Sequence, residues 1–430
     1  MKKAAFFTLG CKVNQYESEA MRESFESAGY ETVDFGDFAD VYIVNTCSVT
    51  AIADRKSRKA IKQARNLNPD AIIAVAGCYS QTNPEAVKSL KIADIIIGNT
   101  EKENIVEIVK SYNGVAVEKV NDIMKCRMFA GPTAASHKGK TRAFMKIQDG
   151  CDNFCTYCII PYARGPVRSR PLDEIITEAK SFVKNGYKEI VLTGIHITKY
   201  GKDFGEIALA DVLSELNRIN GLERIRLGSL EYNKNFTEIV NRAGEYSKLC
   251  PHFHISLQSG SAGVLERMKR TYTLAEYKAA VDMIRKTWET AAITTDIMVG
   301  FPGETEEEFA ESMNFAKEIG FAKMHVFAYS RRPGTVADKM ENQVPEAVKK
   351  ARSEQMQALA TNLENEFYKS CIGKQFSVLV ERKTGNNLYE GHTENYLPAE
   401  ITSSEDISKQ IVKVEITGIN GETVTGDIVK

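Results

Sequence analysis

The sequence predicts an α/β fold in three parts: an N-terminal doubly wound parallel α/β domain, a central partial (β/α)6 barrel and a small C-terminal β-barrel. Residues 1–112 alternate apolar runs of strand length with longer helical patterns. Residues 141–330 repeat a strand and then a helix about six times, which is typical of a barrel open on one side. Residues 375–428 carry five short strands, as small oligonucleotide-binding barrels do.

The first domain places three cysteines directly after predicted strands. Its strands are predicted at Ala4–Leu9, Val41–Asn45, Ala71–Ala76 and Ala93–Ile97, and its helices at Gln15–Ala28, Ile52–Asn66 and Glu101–Lys110. Cys11, Cys47 and Cys78 follow the first three strands. Because the carboxyl ends of parallel strands share one edge, we expect the three thiols to converge. A lone cysteine is usually a small buried hydrophobic residue, but three at equivalent positions favour an iron–sulfur cluster with one open iron.

The helix after Cys47 is unusually basic. The net charge of the chain is −1, so any nucleic-acid binding must come from a local patch. The basic residues could form a surface that contacts phosphates, or they could be an ordinary solvent-exposed face of the helix. The sequence does not decide between these two interpretations. Its basic residues are Arg55, Lys56, Arg58, Lys59, Lys62 and Arg65.

Loop-forming residues separate the first domain from the barrel. We place the domain limits at 1–113, 135–368 and 371–430, with Val115–Val120 as a possible edge strand in the connection. The barrel strands are predicted at Ala143–Gln148, Glu189–Thr193, Arg224–Gly228, His254–Leu257, Thr294–Val299 and Met324–Tyr329. The helices between them include Asp173–Asn185, Ala210–Asn217, Leu274–Thr287 and Glu306–Ile319.

A second cysteine triad follows the first barrel strand. Cys151, Cys155 and Cys158 are separated by three and then two residues, with Tyr157 before the last. Three thiolates this close can hold three corners of a 4Fe–4S cube and leave one iron without a protein ligand. Zinc sites usually supply four ligands, and no fourth Cys or His lies nearby in sequence. The motif resembles the radical S-adenosylmethionine (SAM) signature, which implies that SAM chelates the open iron and is cleaved to a 5′-deoxyadenosyl radical.

The mouth of the predicted barrel carries candidate ligand-binding residues. Small and polar side chains at the strand ends suit a SAM and substrate site, where glycine lets the backbone approach a ligand. The candidates for SAM are Tyr157, Thr193, Gly194, Ser229, Glu231 and Gln258. Arginines flank the same mouth, and we interpret them as phosphate contacts rather than loop solvation. They are Arg164, Arg168, Arg170, Arg331 and Arg332.

The end of the chain begins with a long helix over residues 346–369 and continues as the β-rich tail. The tail strands are predicted at Gln375–Glu381, Leu388–Gly391, Leu397–Ile401, Ile411–Ile416 and Thr423–Ile428. The segment 391–396 resembles the motif of TRAM domains, which bind RNA. Residues 371–430 nevertheless carry six Lys or Arg against nine Asp or Glu, whereas an RNA-binding tail is expected to be basic.

From end to end the chain resembles the radical SAM methylthiotransferases. The segments 8–14, 45–50 and 153–165 resemble the branch that converts N6-threonylcarbamoyladenosine, beside the tRNA anticodon, to its 2-methylthio derivative. Two alternatives are the branch that modifies isopentenyladenosine and the branch that modifies a ribosomal-protein aspartate. Both usually carry other residues after the first cysteine, so Lys12 and Val13 favour the threonylcarbamoyladenosine branch. A non-catalytic iron–sulfur RNA-binding protein is a further alternative, against which the two open-iron triads argue.

The resemblance implies two 4Fe–4S clusters, with SAM as both methyl donor and radical source. It also implies a tRNA anticodon loop as partner, a target base taken out of its stack, and an electron donor such as a flavodoxin or ferredoxin. The two triads should then face each other, with the N-terminal sheet edge docked over the barrel mouth. Nine cysteines without a secretory signal or membrane span predict a cytoplasmic protein that contacts no membrane.

Overall fold

The computed structural model describes residues 1–131, 141–205 and 207–429. The boundary predicted at residue 135 lies outside the described residues, and the three domain limits stay a prediction. The predicted class is confirmed, because a parallel α/β sheet, a parallel barrel and a closed small β-barrel follow one another along the chain.

The N-terminal part is built on a six-stranded parallel sheet. Its strands are β1 Lys3–Thr8, β2 Glu31–Val33, β3 Val41–Thr46, β4 Ile72–Gly77, β5 Ile95–Ile97 and β6 Val117–Lys119. They lie in the order β2-β1-β3-β4-β5-β6, so the order reverses between β1 and β3. Ligands bind at such a reversal point in open α/β sheets. Strand β2 was not predicted, because three exposed or half-buried residues form no apolar run.

Helices cover both faces of this sheet. They are α1 Lys12–Ser27, α2 Ala51–Leu67, α3 Cys78–Thr82, α4 Pro84–Lys88 and α5 Ile105–Lys110. Phe25 of α1 and Ile105 of α5 pack in the apolar layer on one face. Ile61 of α2 and Val87 of α4 pack on the other. The central strand β3 is therefore buried on both faces, which explains its unbroken apolar run.

The central part is an open parallel barrel. Its strands are β7 Arg142–Lys146, β10 Glu189–Thr193, β11 Arg224–Leu227, β12 Ser229–Leu230, β13 His252–Ile255, β14 Ala292–Val299 and β15 Lys323–Ala328. Two further short strands, β8 Gln148–Asp149 and β9 Arg168–Ser169, pair with each other on either side of the cysteine loop. The barrel order is β7-β10-β11, then β12-β13-β14-β15, and Gly228 lies where β11 passes into β12. The six predicted strands are present.

The barrel helices lie outside the strands. They are α6 Ile160–Arg164, α7 Leu172–Lys184, α8 Leu209–Asn217, α9 Lys234–Asn241, α10 Ala262–Arg267, α11 Leu274–Thr287, α12 Glu306–Ile319 and α13 Glu346–Ser370. Capping boxes set the starts of α11 and α12, where Thr273 pairs with Glu276 and Thr305 with Glu308. Helices α6, α9 and α10 were not predicted, and α6 and α10 are too short to repeat a helical pattern.

The tail forms a closed barrel against the amino-terminal ends of the central strands. Its strands are β16 Gln375–Gly385, β17 Leu388–Thr393, β18 Pro398–Thr402, β19 Ile411–Asn420 and β20 Thr423–Ile428. Tyr396, in the segment that resembles the TRAM motif, stacks on His252 with ring centroids 4.8 Å apart. Arg226 lies over the same ring at 4.6 Å. This segment therefore joins the tail to the barrel.

The acidic character of the tail matches the arginines that it meets. Glu381 pairs with Arg142 of β7, and Glu394 lies 3.8 Å from Arg224 of β11. Part of the tail's negative charge is thus neutralised by arginines of the central barrel. Among the helices that the structure describes, not one combines the length and apolar character needed to traverse a bilayer.

Candidate active site

The loop that carries Cys151, Cys155 and Cys158 is folded tightly on itself and on its neighbours. The N–H of Cys158 donates to the carbonyl of Cys155 at 2.9 Å, and the N–H of Cys151 donates to Gly165 at 3.0 Å. Gly150 has φ +75°, and a Cβ there would lie 1.8 Å from the carbonyl oxygen of Pro166. Only glycine therefore lets the loop begin in this way.

Two polar side chains approach these thiols. Arg270 donates from Nη1 to the Sγ of Cys155 at 3.4 Å, and its Nη2 pairs with Glu231 at 2.9 Å. The Nδ1 of His196 lies 3.7 Å from the Sγ of Cys151. Arg270 was not singled out in the sequence, because it lies far along the chain in a loop with no motif of its own.

The second triad gathers at the carboxyl edge of the N-terminal sheet. Cys11 follows β1 and caps α1, Cys47 follows β3, and Cys78 begins α3 after β4. The three sulfurs are close enough to influence one another electrostatically. Gly10 has φ +100°, and a Cβ there would lie 2.8 Å from the Sγ of Cys47. The predicted convergence of Cys11, Cys47 and Cys78 is therefore present.

Polar donors also reach the second triad. The Nε of Arg164 donates to the Sγ of Cys78 at 3.3 Å, and the Nδ2 of Asn99 lies 3.8 Å from the same sulfur. Hydrogen bonds to sulfur are one way in which proteins tune iron–sulfur clusters. Asn99 also donates to the carbonyl of Ala163 at 2.7 Å, so it contacts both cysteine-bearing parts.

Both triads have a donor set that fits an iron–sulfur cluster. Burial raises the pKa of Cys47 and of Cys151 to about 11, and that of Cys158 to about 12. Buried thiols of this kind stay protonated near neutral pH unless a metal cation binds them. All nine cysteines are free of disulfides, so the six thiols are available as ligands.

A buried ionic network holds the N-terminal sheet edge against the barrel. Glu17 of α1 pairs with Lys102 at 2.6 Å, with Lys146 of β7 at 2.7 Å and with Arg164 at 2.6 Å. Burial alone would raise the pKa of Glu17, but these three cations keep it well below its usual range. Asp149 accepts a further contact from Lys146 at 2.7 Å. The network fixes the second triad over the mouth of the barrel.

A cavity of about 460 Å³ joins the second triad to the inside of the barrel. Cys11 and Lys12 line it from the N-terminal part. The barrel contributes Thr193, Gly194 and Ser229, which are three of the residues proposed for SAM. These residues and Cys11 of the second triad therefore line one cavity, as the predicted docking requires.

Two of the other three residues proposed for SAM contact Arg270, which approaches the first triad. The hydroxyl of Tyr157 is 3.5 Å from Nη1 of Arg270, and Glu231 pairs with the same arginine. Gln258 has φ +70° and is buried, and its Oε1 finds no hydrogen-bond partner among the described residues. An orphaned buried acceptor of this kind fits a site that a ligand completes.

The structure corrects the interpretation of four arginines as phosphate contacts. Arg164, Arg168, Arg170 and Arg332 are buried, with at most 6% of the residue exposed. Arg168 lies 3.4 Å from Asp149, Arg170 pairs with Glu178, and Arg332 pairs with Asp54 at 2.7 Å. A guanidinium group that is buried in an ion pair cannot be reached by a phosphate of a bound nucleic acid.

The remaining predicted phosphate contacts are accessible. Arg55, Lys56 and Lys59 are exposed on α2, and Arg58 is half-buried with NH1 3.1 Å from the hydroxyl of Tyr79. Arg331 is exposed and pairs with Asp338 at 3.1 Å. The exposed residues of α2 lie on the helix that follows Cys47.

Two family models match the chain. The model described as the Radical SAM superfamily covers residues 145–316, which include the first triad. The model described as Uncharacterized protein family UPF0004 covers residues 3–98, which include Cys11, Cys47 and Cys78.

Curated proteins match over nearly the whole chain. A Bacillus subtilis protein named threonylcarbamoyladenosine tRNA methylthiotransferase MtaB is 43% identical over 97% of this chain and 94% of its own length. An Aquifex aeolicus protein of the same name is 40% identical over 95% and 99%. An Acetivibrio thermocellus protein named tRNA-2-methylthio-N6-dimethylallyladenosine synthase is 34% identical over 98% and 90%.

Solved structures share the fold at low sequence identity. The radical S-adenosylmethionine methyltransferase TsrM from Kitasatospora setae, solved with cobalamin and a 4Fe–4S cluster, superposes with a TM-score of 0.58. It is 15% identical and is matched over 78% of this chain and 77% of its own. At this identity the likeness concerns the fold alone.

Proposed function

The chain belongs to the family of radical SAM tRNA methylthiotransferases, and we propose that its substrate is N6-threonylcarbamoyladenosine beside the tRNA anticodon, converted to the 2-methylthio derivative. The observation that carries the proposal is the cavity that Cys11 shares with Thr193, Gly194 and Ser229. A transfer of sulfur needs the second triad at the same substrate as the SAM site, and this cavity brings Cys11 together with three of the residues proposed for SAM. The relatives named for threonylcarbamoyladenosine are also more similar than the one named for dimethylallyladenosine.

Six cysteines would hold the two clusters, and six further residues would hold SAM. Cys151, Cys155 and Cys158 would bind the cluster that SAM joins, and Cys11, Cys47 and Cys78 the second cluster. When bound, these groups supply one-electron chemistry together with the sulfur and the methyl group. The residues proposed around SAM are Tyr157, Thr193, Gly194, Ser229, Glu231 and Gln258.

The protein's own residues would stabilise negative charge on the thiolates. Arg270 and Arg164 direct N–H donors at Cys155 and Cys78, and charge-assisted hydrogen bonds of this kind are stronger than neutral ones. Cys11 lies at the N-terminus of α1, where unpaired backbone N–H groups favour an anion. Both contacts would stabilise the negative charge of thiolates that hold a cluster.

The exposed cations of α2 are proposed to contact the RNA backbone. Arg55, Lys56 and Lys59 lie on the helix that begins shortly after Cys47, so a nucleotide held near the second triad would bring its flanking phosphates close. Because the chain as a whole is nearly neutral, this local charge would set most of the salt dependence of binding. An electron donor such as a flavodoxin or ferredoxin belongs to the same proposal.

The test is the nucleoside profile of tRNA from cells that lack this chain. The methylthio form of threonylcarbamoyladenosine should disappear, and the unmodified nucleoside should accumulate in its place. The wild-type chain should restore the product, whereas the Cys151→Ala variant should not. Loss of methylthio-dimethylallyladenosine instead would favour the alternative substrate, and an unchanged tRNA profile would contradict both.

A further inference from the structure

Two histidines and an aspartate meet inside the barrel, apart from the cysteine triads. His254, Asp296 and His325 project from the adjacent strands β13, β14 and β15 and line the same cavity as Cys11. One ligand-type atom from each residue lies within 4.8 Å of the other two. Two imidazoles and a carboxylate are a donor set that binds first-row transition metals in many proteins.

Strand pairing brings the three side chains together. Asp296 is directly opposite His325 across β14 and β15, and His254 is opposite Thr294 across β13 and β14. The Nε2 of His254 lies 3.3 Å from the Oδ2 of Asp296. The rings of His254 and His325 are 5.8 Å apart. An ion between the three groups therefore needs only small side-chain rotations.

A hydrogen bond from a neighbouring strand orients the ring of His254 for metal binding. The hydroxyl of Thr294 lies 3.0 Å from Nδ1 of His254, so it can accept that N–H and leave Nε2 free toward Asp296. Metal-binding histidines commonly have their second nitrogen held in this way.

We propose that His254, Asp296 and His325 bind one divalent transition-metal ion. Three protein ligands leave at least one coordination position open to the cavity. That position suits an oxygen ligand such as a substrate carboxylate or hydroxyl; this last point alone rests on the proposed function. The alternative is that His254 and Asp296 form only a hydrogen bond and bind no metal. The experiment below distinguishes a metal site from this hydrogen bond.

The test measures metal binding to the reconstituted protein without RNA, so its failure leaves the proposed function untouched. Free Mn²⁺ is followed by room-temperature EPR during titration, and bound Zn²⁺ by equilibrium dialysis and elemental analysis. We expect one ion per chain for the wild type, and affinity at least about tenfold weaker for His325→Asn and for Asp296→Asn. His325 is exposed near one edge of the barrel, so its variant should fold.

Glu364→Gln is the matched control, because Glu364 lines the same cavity but lies outside the trio. It should bind metal as the wild type does, and all variants should keep the wild-type iron content. Stoichiometric binding that weakens only in His325→Asn and Asp296→Asn supports the proposal. If neither metal binds the wild type stoichiometrically, or if both ligand variants bind as the wild type does, the proposal is wrong.

Discussion

Arg164 links the two cysteine triads: it lies on α6, just after Cys158, and its Nε donates to the Sγ of Cys78 at 3.3 Å. The same wholly buried guanidinium donates to Glu17 at 2.6 Å and to Asn14 at 2.5 Å. One side chain therefore ties the loop of the first triad to the second triad and to α1. A residue interpreted from sequence as a phosphate contact is thus a positioning residue between the triads.

Arg164→Lys should weaken the second cluster selectively. A lysine ammonium cannot reach Cys78, Glu17 and Asn14 together, because it lacks the planar fork of arginine. We expect loss of iron from the second site, or a lower midpoint potential of that cluster, with the first cluster retained. Iron analysis and EPR-monitored redox titration measure both. Arg331→Lys is the control, since Arg331 is exposed and pairs with Asp338; equal results for the two variants would contradict the assignment.

Gly10→Ala should disrupt the second triad while sparing the first. The backbone at Gly10 has φ +100°, and the added Cβ would lie 2.8 Å from the Sγ of Cys47. Iron should fall from about eight toward about four atoms per chain, and reductive cleavage of SAM should persist. Gly36→Ala is the control, because a Cβ there meets nothing within 4 Å. A Gly10→Ala protein with full iron content would show that the site tolerates the side chain.

The two triads should separate by function in cysteine variants. Cys151→Ala should abolish SAM cleavage, because this triad is proposed to hold the cluster that SAM joins. Cys47→Ala should retain SAM cleavage and lose methylthiolation of tRNA. The measurements are 5′-deoxyadenosine and modified nucleosides by mass spectrometry. Methylthiolated product from the Cys47→Ala enzyme would end the second-cluster assignment.

Glu189 should make the protein sensitive to acid. Burial alone would raise its pKa, but Arg226 and Arg142 lower it to about 2. The stability that this carboxylate contributes, about 3 kcal/mol, is present above about pH 4.5 and lost as the pH falls toward about 2. Glu189→Gln should therefore be less stable at neutral pH, with a thermal midpoint that changes less on acidification. The exposed Glu341→Gln should follow the wild type, and parallel profiles for all three would refute the prediction.

Removing the exposed cations of α2 should weaken tRNA binding and its salt dependence. Replacing Arg55, Lys56 and Lys59 by Gln removes three charges without disturbing the buried face of the helix. The slope of log Kd against log salt should fall by about one for each phosphate that the variant no longer neutralises. The control is a variant in which Lys180 and Lys184, which are exposed on α7, are replaced by Gln. An unchanged slope for the α2 variant would assign RNA binding to another surface.

Local sequence patterns predicted most of the fold. The repeating order of strand and helix identified the six barrel strands, and an apolar run identified β3, because burial on both faces of a sheet favours continuous apolar residues. They missed β2 and the short helices α3, α4, α6, α9 and α10, most of which are too short to repeat a pattern. The convergence of Cys11, Cys47 and Cys78 was also predictable, because parallel strands end at one edge.

The sequence by itself determined the two cysteine triads, the order of the three parts and the carboxyl edge at which each triad lies. Only the tertiary structure decided that Arg164 and Arg332 are buried ion-pair partners, that Tyr396 joins the tail to the barrel, and that His254 meets Asp296. The physical reason is that a strand can be recognised from the polarity of residues adjacent in sequence. The burial of a charge depends on which distant surface docks against it, and no local pattern records that.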